Sequence, residues 1–265
     1  MNVFLRELRT YRKSVLLWSG GIILLLAASM AKFNTLTADG MDITQILDQF
    51  PATVQAVFGM NGLDITTIVG YFGVLYLYVA VMLAIQAGMM GADIIDKEEQ
   101  DKTTEFLYVK PRSRARVLTA KLCAALVVLI ILNVVTLVTS YLLAAQYVDL
   151  ATVVLELTLY NAAYAVLQLL FMAVGTALAA SSLRPRLAGR LVAAAVGVMY
   201  FAYVLVTMQP ALDWLGVASP LVQMNAPDII ANGTLDWVWV SVYGVVAILG
   251  VAICYYCYPR RDLTI

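Results

Sequence analysis

Residues 93–121 read DIIDKEEQDKTTEFLYVKPRSRARVLTAK and separate two long apolar runs, one ending near Gly91 and the other beginning near Leu122. The first half of this stretch is acidic, the second half is basic, and the apolar residues 106–109 lie between them. Pro111 then ends any helix that enters the stretch. A segment with charged flanks and an apolar middle suits docking onto a partner outside a membrane. The alternative is a solvated loop whose basic residues only anchor the topology.

The composition of the whole chain is that of a membrane protein. Of its 265 residues 62% are hydrophobic and 13% are charged, and its mean hydropathy is +0.86. A soluble domain would carry roughly 25% charged residues. The formal net charge is zero, so no overall basic field favours binding to nucleic acid.

The sequence argues against catalysis by this chain. It contains no histidine, which excludes histidine-held haem, histidine-held zinc and histidine-dependent triads. It also lacks a P-loop and a G-x-S-x-G elbow. The three cysteines, Cys123, Cys254 and Cys257, lie in apolar runs, where packing is favoured over redox or metal chemistry. We therefore expect no enzymatic activity, no metal and no cofactor.

Six apolar runs are each close to the ~20 residues that a helix needs to cross a bilayer. We number them as spans one to six. Because backbone polar groups inside a bilayer must be satisfied within helices, the chain should form one all-α transmembrane domain over residues 1–265. The predicted spans occupy residues 14–31, 68–92, 121–145, 151–180, 191–208 and 237–258.

The segments around the spans have distinct characters. Residues 1–13 combine apolar residues at helical spacing with four bases, which predicts an amphipathic helix lying in the headgroup region. Residues 32–67 and 209–236 are expected to be extracytoplasmic. Within the first of these, apolar stripes over 43–50 and 54–58 predict two short helices resting on the outer membrane face.

The distribution of basic residues sets the orientation. Every Lys and Arg except Lys32 precedes span one, lies in 93–121, lies in the 181–190 loop or follows span six. The other three connections carry acids instead. Cytoplasmic loops of membrane proteins are enriched in bases, so both termini are expected to be cytoplasmic in a multi-pass protein of the cell membrane.

Several residues inside the spans are candidates for packing or function. Stripes of small residues at every fourth position let helices approach closely, and we favour packing within the chain over a contact between subunits. The small-residue stripes are Ala80, Ala84 and Gly88 in span two, and Gly189, Ala193 and Gly197 in span five.

Glu156 is an acid within span four, and its place near the outer end favours an interfacial position over a substrate site.

The stretch KTTEFLYVKPRSR at residues 102–114 carries a resemblance to a known family. With the acidic pair that precedes it and the lysine that follows, it resembles the signature of ABC-2-type ABC transporter permeases, E-E-x-x-[GK]-T-x-E-x-L-L-x-x-P-x-S-R. It departs from that pattern in Tyr108 and in the less common Lys102. The segments FPATVQAVFG at 50–59 and YPRRDL at 258–263 also resemble the family. The matching residues are Glu98, Glu99, Thr103, Glu105, Leu107, Pro111, Ser113, Arg114 and Lys121.

The resemblance implies a function as the membrane-spanning permease subunit of an ATP-driven exporter. In this family a cytoplasmic coupling helix between spans two and three docks on a separate ABC ATPase, and two permeases work with two ATPases. The alternatives are a non-transporting membrane scaffold or sensor that binds a cytoplasmic partner and, less favoured, a channel. Besides these partners we expect membrane lipids and no nucleic acid. The residues expected to couple to the ATPase are Glu98, Glu99, Thr103, Glu105, Phe106 and Leu107.

The predicted orientation can be tested by labelling intact cells. In a variant without native cysteines, single cysteines at Asp42 and Asp228 should react with an impermeant thiol reagent, because the excess of bases holds the other loops inside. A cysteine at Gln100 should react only after the membrane is opened. Labelling of position 100 from outside would reverse the orientation.

Overall fold

The computed structural model describes residues 3–38, 51–100, 113–182 and 187–260 of the chain. These residues form helices joined by turns and contain no β-strand. Six of the helices are long and apolar enough to cross a membrane, which confirms the all-α, six-span architecture. In the order of spans one to six they are Val3–Ala38, Ile68–Gln100, Arg114–Ala144, Val154–Ser181, Leu187–Met208 and Trp237–Cys257.

Spans two and three are longer than their apolar runs predict. Span two continues to Gln100 and span three begins at Arg114, so both ends of the charged stretch 93–121 belong to spanning helices. Ser113 caps span three, since its side-chain oxygen accepts a hydrogen bond from the backbone nitrogen of Arg116 at 3.4 Å. Serine is one of the residues preferred at this position before a helix. The centre of the predicted coupling helix lies outside the described residues.

Span one differs from the prediction of a separate interfacial helix at 1–13. Val3–Ala38 is one uninterrupted helix of 36 residues. At a rise of 1.5 Å per residue it is about 54 Å long, well beyond the ~30 Å thickness of the hydrocarbon core. Its first turns therefore extend past the apolar layer, and there they pack against the ends of spans two and three.

The two ends of the bundle differ in charge. Spans one, three and five begin at one end, where spans two, four and six finish. Every described Lys and Arg except Lys32 lies at this end, which we call the basic end. The opposite, acidic end carries Asp64, Asp149, Asp213, Asp228 and Asp236.

Spans two and four form the centre of the bundle because glycines bring their backbones into contact. A Cβ added to Gly175 would lie 2.2 Å from the carbonyl oxygen of Gly88, and one added to Gly91 would lie 2.4 Å from that of Met172. Ala80 and Ala84 are fully buried along the same helix. The small-residue stripe of span two therefore serves packing within the chain, as favoured from the sequence.

The other spans surround this centre. Span one packs mainly on span three, span six on span four, and span five on span two. The small-residue stripe of span five differs from that of span two, because a Cβ on Gly197 would meet nothing within 4 Å. Val198 and Phe201 beside it are 68% and 67% exposed. Within the described chain, this face of span five is not covered.

Short helices lie at the acidic end. Ala52–Phe58 confirms the second of the two short helices expected there, whereas the one expected at 43–50 lies outside the described residues. The hydroxyl of Tyr200 donates to the carbonyl oxygen of Val57 at 2.7 Å and fixes this helix on span five. The segment between spans five and six forms three further short helices, Asp213–Gly216, Pro220–Gln223 and Ala226–Asn232.

Polar residues inside the spans are few. The side-chain nitrogen of Asn133 in span three donates to the Gln168 side chain in span four, so this amide pair connects the two helices. Glu156 lies in the first turn of span four. This position near the acidic end agrees with an interfacial carboxylate, which a helix N-terminus favours electrostatically.

The contact between spans two and four can be tested with one methyl group. Gly175→Ala forces the new Cβ against the backbone of span two, and we expect a loss of about 1–3 kcal/mol in the free energy of unfolding. Gly244→Ala is the matched control, since a Cβ at Gly244 meets nothing within 4 Å. The measurement is the unfolding of the purified protein in micelles. Equal stability of the two variants would contradict this close backbone contact.

Candidate functional site

A cluster of charged side chains lies where three helices meet at the basic end. It joins the start of span one, the last turns of span two and the start of span three. We call this cluster the charge network, and it contains three cations and three carboxylates. Its members are Arg6, Glu7, Asp93, Lys97, Glu98 and Lys121, with Tyr11 at its edge.

Lys121 is the deepest member of the charge network. Its residue is 0% exposed, although it carries an ammonium group. The Nζ atom donates to the carbonyl oxygen of Ile94 at 2.6 Å and to Oε2 of Glu98. Because an isolated charge at such a site would cost several kcal/mol, these two acceptors fix the start of span three against span two.

Glu98 is paired through both of its carboxylate oxygens. Oε2 accepts from Lys121, and Oε1 accepts from Nη2 of Arg6 at 3.0 Å. The residue is only 6% exposed. Glu98 therefore connects the start of span one to the start of span three, and its carboxylate faces the interior of the chain.

Glu7 is the corresponding buried acid of span one. It is 0% exposed, and its Oε1 accepts from Nη2 of Arg6 at 3.1 Å. Its other oxygen accepts from the Nζ atom of Lys97 in span two. Arg6 thus bridges Glu7 and Glu98, so that the cations and carboxylates alternate along one chain of contacts.

Tyr11 adds a second connection between spans one and two. Its hydroxyl donates to Oδ2 of Asp93 at 2.7 Å. The Nζ atom of Lys97 lies 5.0 Å from the centre of the Tyr11 ring, within the range of a cation–π contact. The amphipathic start of span one is therefore docked on span two by charged and aromatic contacts.

The charge network includes both ends of the stretch 93–121, which the sequence marks for coupling. Of the predicted coupling residues, Glu98 is a buried member of the network, and Glu99 in the same last turn is partly exposed. Thr103, Glu105, Phe106 and Leu107 lie outside the described residues. The coupling role of all six stays a prediction. For Glu98, burial favours a role through Arg6 and Lys121 rather than through direct contact with a partner.

Sequence reasoning missed Glu7 and the partners of Lys97. One signal was available, since Glu7 is the only acid among the first 38 residues and lies between bases. Its partner Lys97 is 90 positions away in the chain. Local patterns carry no information about such a pair, because it exists only when spans one and two lie side by side.

A comparison with known protein families identifies the family of the chain. The family described as ABC-2 family transporter protein matches residues 1–263, nearly the whole chain. The chain belongs to the ABC-2 transporter family. As an ABC-2 family protein it is a multi-pass membrane component of an ABC transporter, and such a component works with an ABC ATPase and is not itself catalytic. No curated relative matches the chain.

The ABC-2 match covers all three parts of the charge network. The start of span one, the end of span two and the start of span three all fall within residues 1–263.

Among the described residues, no group of three or more acids and cysteines is arranged to hold a metal ion. Within the charge network, Arg6, Glu7, Lys97, Glu98 and Lys121 are instead paired with one another, which suits a mechanical joint.

The energetic role of this joint can be tested with a double-mutant cycle. Lys121→Met and Glu98→Gln each leave a buried charge without its main partner, so each should cost about 3–5 kcal/mol in the free energy of unfolding. The double variant should cost less than the sum, with a coupling energy of about 1–3 kcal/mol. The measurement is unfolding of the purified protein in mixed micelles. Arg9→Gln, at an exposed position of span one, should change stability by less than about 0.5 kcal/mol. Strictly additive losses would contradict the pairing.

Proposed function

We propose that this chain is the permease subunit of an ATP-driven exporter and transmits the movement of a separate ABC ATPase through its charge network. The observation that carries the proposal is the network itself. It connects the end of span two, which is the first part of the charged stretch 93–121, to the starts of spans one and three. Membership of the ABC-2 family supplies the class of partner.

The orientation in this proposal places the basic end in the cytoplasm. The support is the distribution of charge, with bases concentrated at one end of the bundle and acids at the other. Exposed Trp214 and Trp237 at the acidic end suit the opposite membrane interface, where tryptophan is enriched. In this orientation both termini and the stretch 93–121 are accessible to a cytoplasmic ATPase.

The coupling step in this proposal is a displacement of the end of span two. The ATPase would bind the stretch 93–121 through Glu99, Thr103, Glu105, Phe106 and Leu107. Nucleotide-driven movement of the ATPase would then shift the last turns of span two. Glu98 would carry that shift to Lys121 and Arg6, because its carboxylate is paired with both and breaking the buried pair with Lys121 is costly.

The full transporter in this proposal contains two permeases and two ATPases. The uncovered face of span five, with Gly197 and the exposed Val198 and Phe201, supports a contact with a second permease, either identical or closely related. Small residues at such a face allow close approach of two helices. Tilting of spans two and three would open the pathway alternately to the two sides of the membrane.

The coupling role can be tested by changing the predicted docking residues. Glu105→Lys reverses a charge, and Leu107→Ala removes an apolar anchor whose loss typically costs ~2 kcal/mol or more at a hot spot. The double variant should reach the membrane in normal amounts, because its spans are unchanged. It should recruit less ATPase and lose export. The measurement is co-purification of the ATPase together with solute efflux from the same cells.

The control for this test is Arg190→Gln, an exposed base at the basic end outside the stretch 93–121. It should keep both recruitment and efflux. Full recruitment and full efflux in the double variant would contradict the coupling role of residues 105–107. A bound partner that does not depend on nucleotide, in cells without efflux, would favour the scaffold alternative.

A further inference from the structure

An apolar cleft lies between spans three, four and six. Spans three and six both pack against span four but diverge from each other, which leaves a cavity of about 610 Å³ open to the side of the bundle. Leu126, Leu169 and Ile248 contribute to its walls, one from each span. Its lining is almost entirely apolar, so a polar solute would find few hydrogen-bonding partners along it.

The cleft is closed at the basic end by contacts between spans three and six. The hydroxyls of Thr119 and Tyr255 lie 2.7 Å apart, within hydrogen-bonding distance. Just beyond them, Nη1 of Arg114 donates to the carbonyl oxygen of Pro259 at 3.0 Å. The two helices therefore meet at the basic end and separate further along the bundle.

The lining of the apolar cleft extends farthest along span six. Val240 precedes Tyr255 by 15 residues, about 22 Å at 1.5 Å per residue. In span three the lining runs from Thr119 to Leu126, about 10 Å on the same basis. One leaflet of the hydrocarbon core is about 15 Å thick, half of the ~30 Å total. The apolar part of the cleft is therefore long enough for one acyl chain of a single leaflet.

Two exposed arginines flank the closed end of the cleft. Arg116 lies one turn before Thr119 in span three and is exposed. Arg260 follows span six and is also exposed, with its guanidinium 3.7 Å from the centre of the Tyr256 ring. Basic residues beside a pocket between transmembrane helices favour lipids with anionic headgroups.

We propose that this cleft binds one anionic phospholipid of the cytoplasmic leaflet, with an acyl chain between spans three, four and six and its phosphate at Arg116 and Arg260. The leaflet in this proposal rests on the orientation given under the proposed function. Lipid tails are as apolar as leucine, so the acyl chain gains little by leaving the bulk bilayer. Selectivity must therefore come from the headgroup, and the preference for an anionic lipid is the property to measure.

Occupancy can be tested by filling the cleft. Gly244 lines it, and a Cβ at this position meets nothing within 4 Å, so Gly244→Phe directs a ring into the cavity. Val245→Phe is the matched control, because Val245 is exposed on span six and does not line the cleft. The full-length protein is purified from vesicles of phosphatidylcholine and phosphatidylglycerol, and retained lipid is measured by native mass spectrometry. We expect one phosphatidylglycerol per chain in the wild type and in Val245→Phe, and none in Gly244→Phe.

Headgroup selectivity can be tested by removing the arginines. Arg116→Gln and Arg260→Gln should each weaken retention of phosphatidylglycerol over phosphatidylcholine about fivefold, equivalent to about 1 kcal/mol per base at an anionic surface. The control pair, Arg9→Gln and Arg190→Gln, should leave the preference unchanged. Equal retention of the two lipids by the wild type, or unchanged retention in Gly244→Phe, would overturn the proposal. Because no ATPase is present, failure of ATPase coupling would leave this result unaffected.

Discussion

A fully buried lysine ammonium constrains how the helices of this protein meet. Lys121 has no contact with solvent, and the charge of its side chain is balanced only if Glu98 lies against it. Desolvation of each ion costs several kcal/mol, so the pair is stable only while spans two and three hold their relative position. The same carboxylate also binds Arg6, which adds the start of span one to this constraint.

The glycine contacts between spans two and four extend this constraint into the bilayer. Gly88, Gly91 and Gly175 allow the two backbones to touch, so span two cannot slide without moving span four. Close-packed interiors have low compressibility and transmit displacement. Span two is thus held by charged pairs at the basic end and by backbone contact along its length. This combination makes it a suitable lever between an ABC ATPase and the membrane-embedded helices.

The number, type and order of the spans could be predicted from the sequence because crossing a bilayer demands about 20 apolar residues per helix. The cap at Ser113 and the internal packing of Ala80 and Ala84 were also predictable, since each depends on local spacing. Helix ends beyond the bilayer were not predictable in the same way. Hydropathy falls where span two leaves the apolar layer, yet the helix continues to Gln100, with Glu98 paired inside the chain.

The candidate site was only partly predictable for a related reason. The sequence pointed to Glu98 and to Lys121 through the family signature, but Glu98 was expected to couple directly to the ATPase. Its burial depends on Arg6, which lies 92 positions earlier in the chain. The partnership of Glu7 with Lys97 has the same origin. Long-range charge pairs follow from the packing of spans one, two and three, and no local pattern encodes that packing.

The most direct measurement of the proposed coupling mechanism is the amount of solute exported per ATP hydrolysed by the reconstituted permease–ATPase complex. Glu98→Gln leaves the stretch after Gln100 unchanged but weakens the pairing that carries movement to spans one and three. We expect this variant to bind the ATPase and permit hydrolysis while exporting less solute per ATP, with Arg9→Gln unchanged. An unaltered ratio in a folded Glu98→Gln complex would contradict transmission through the charge network.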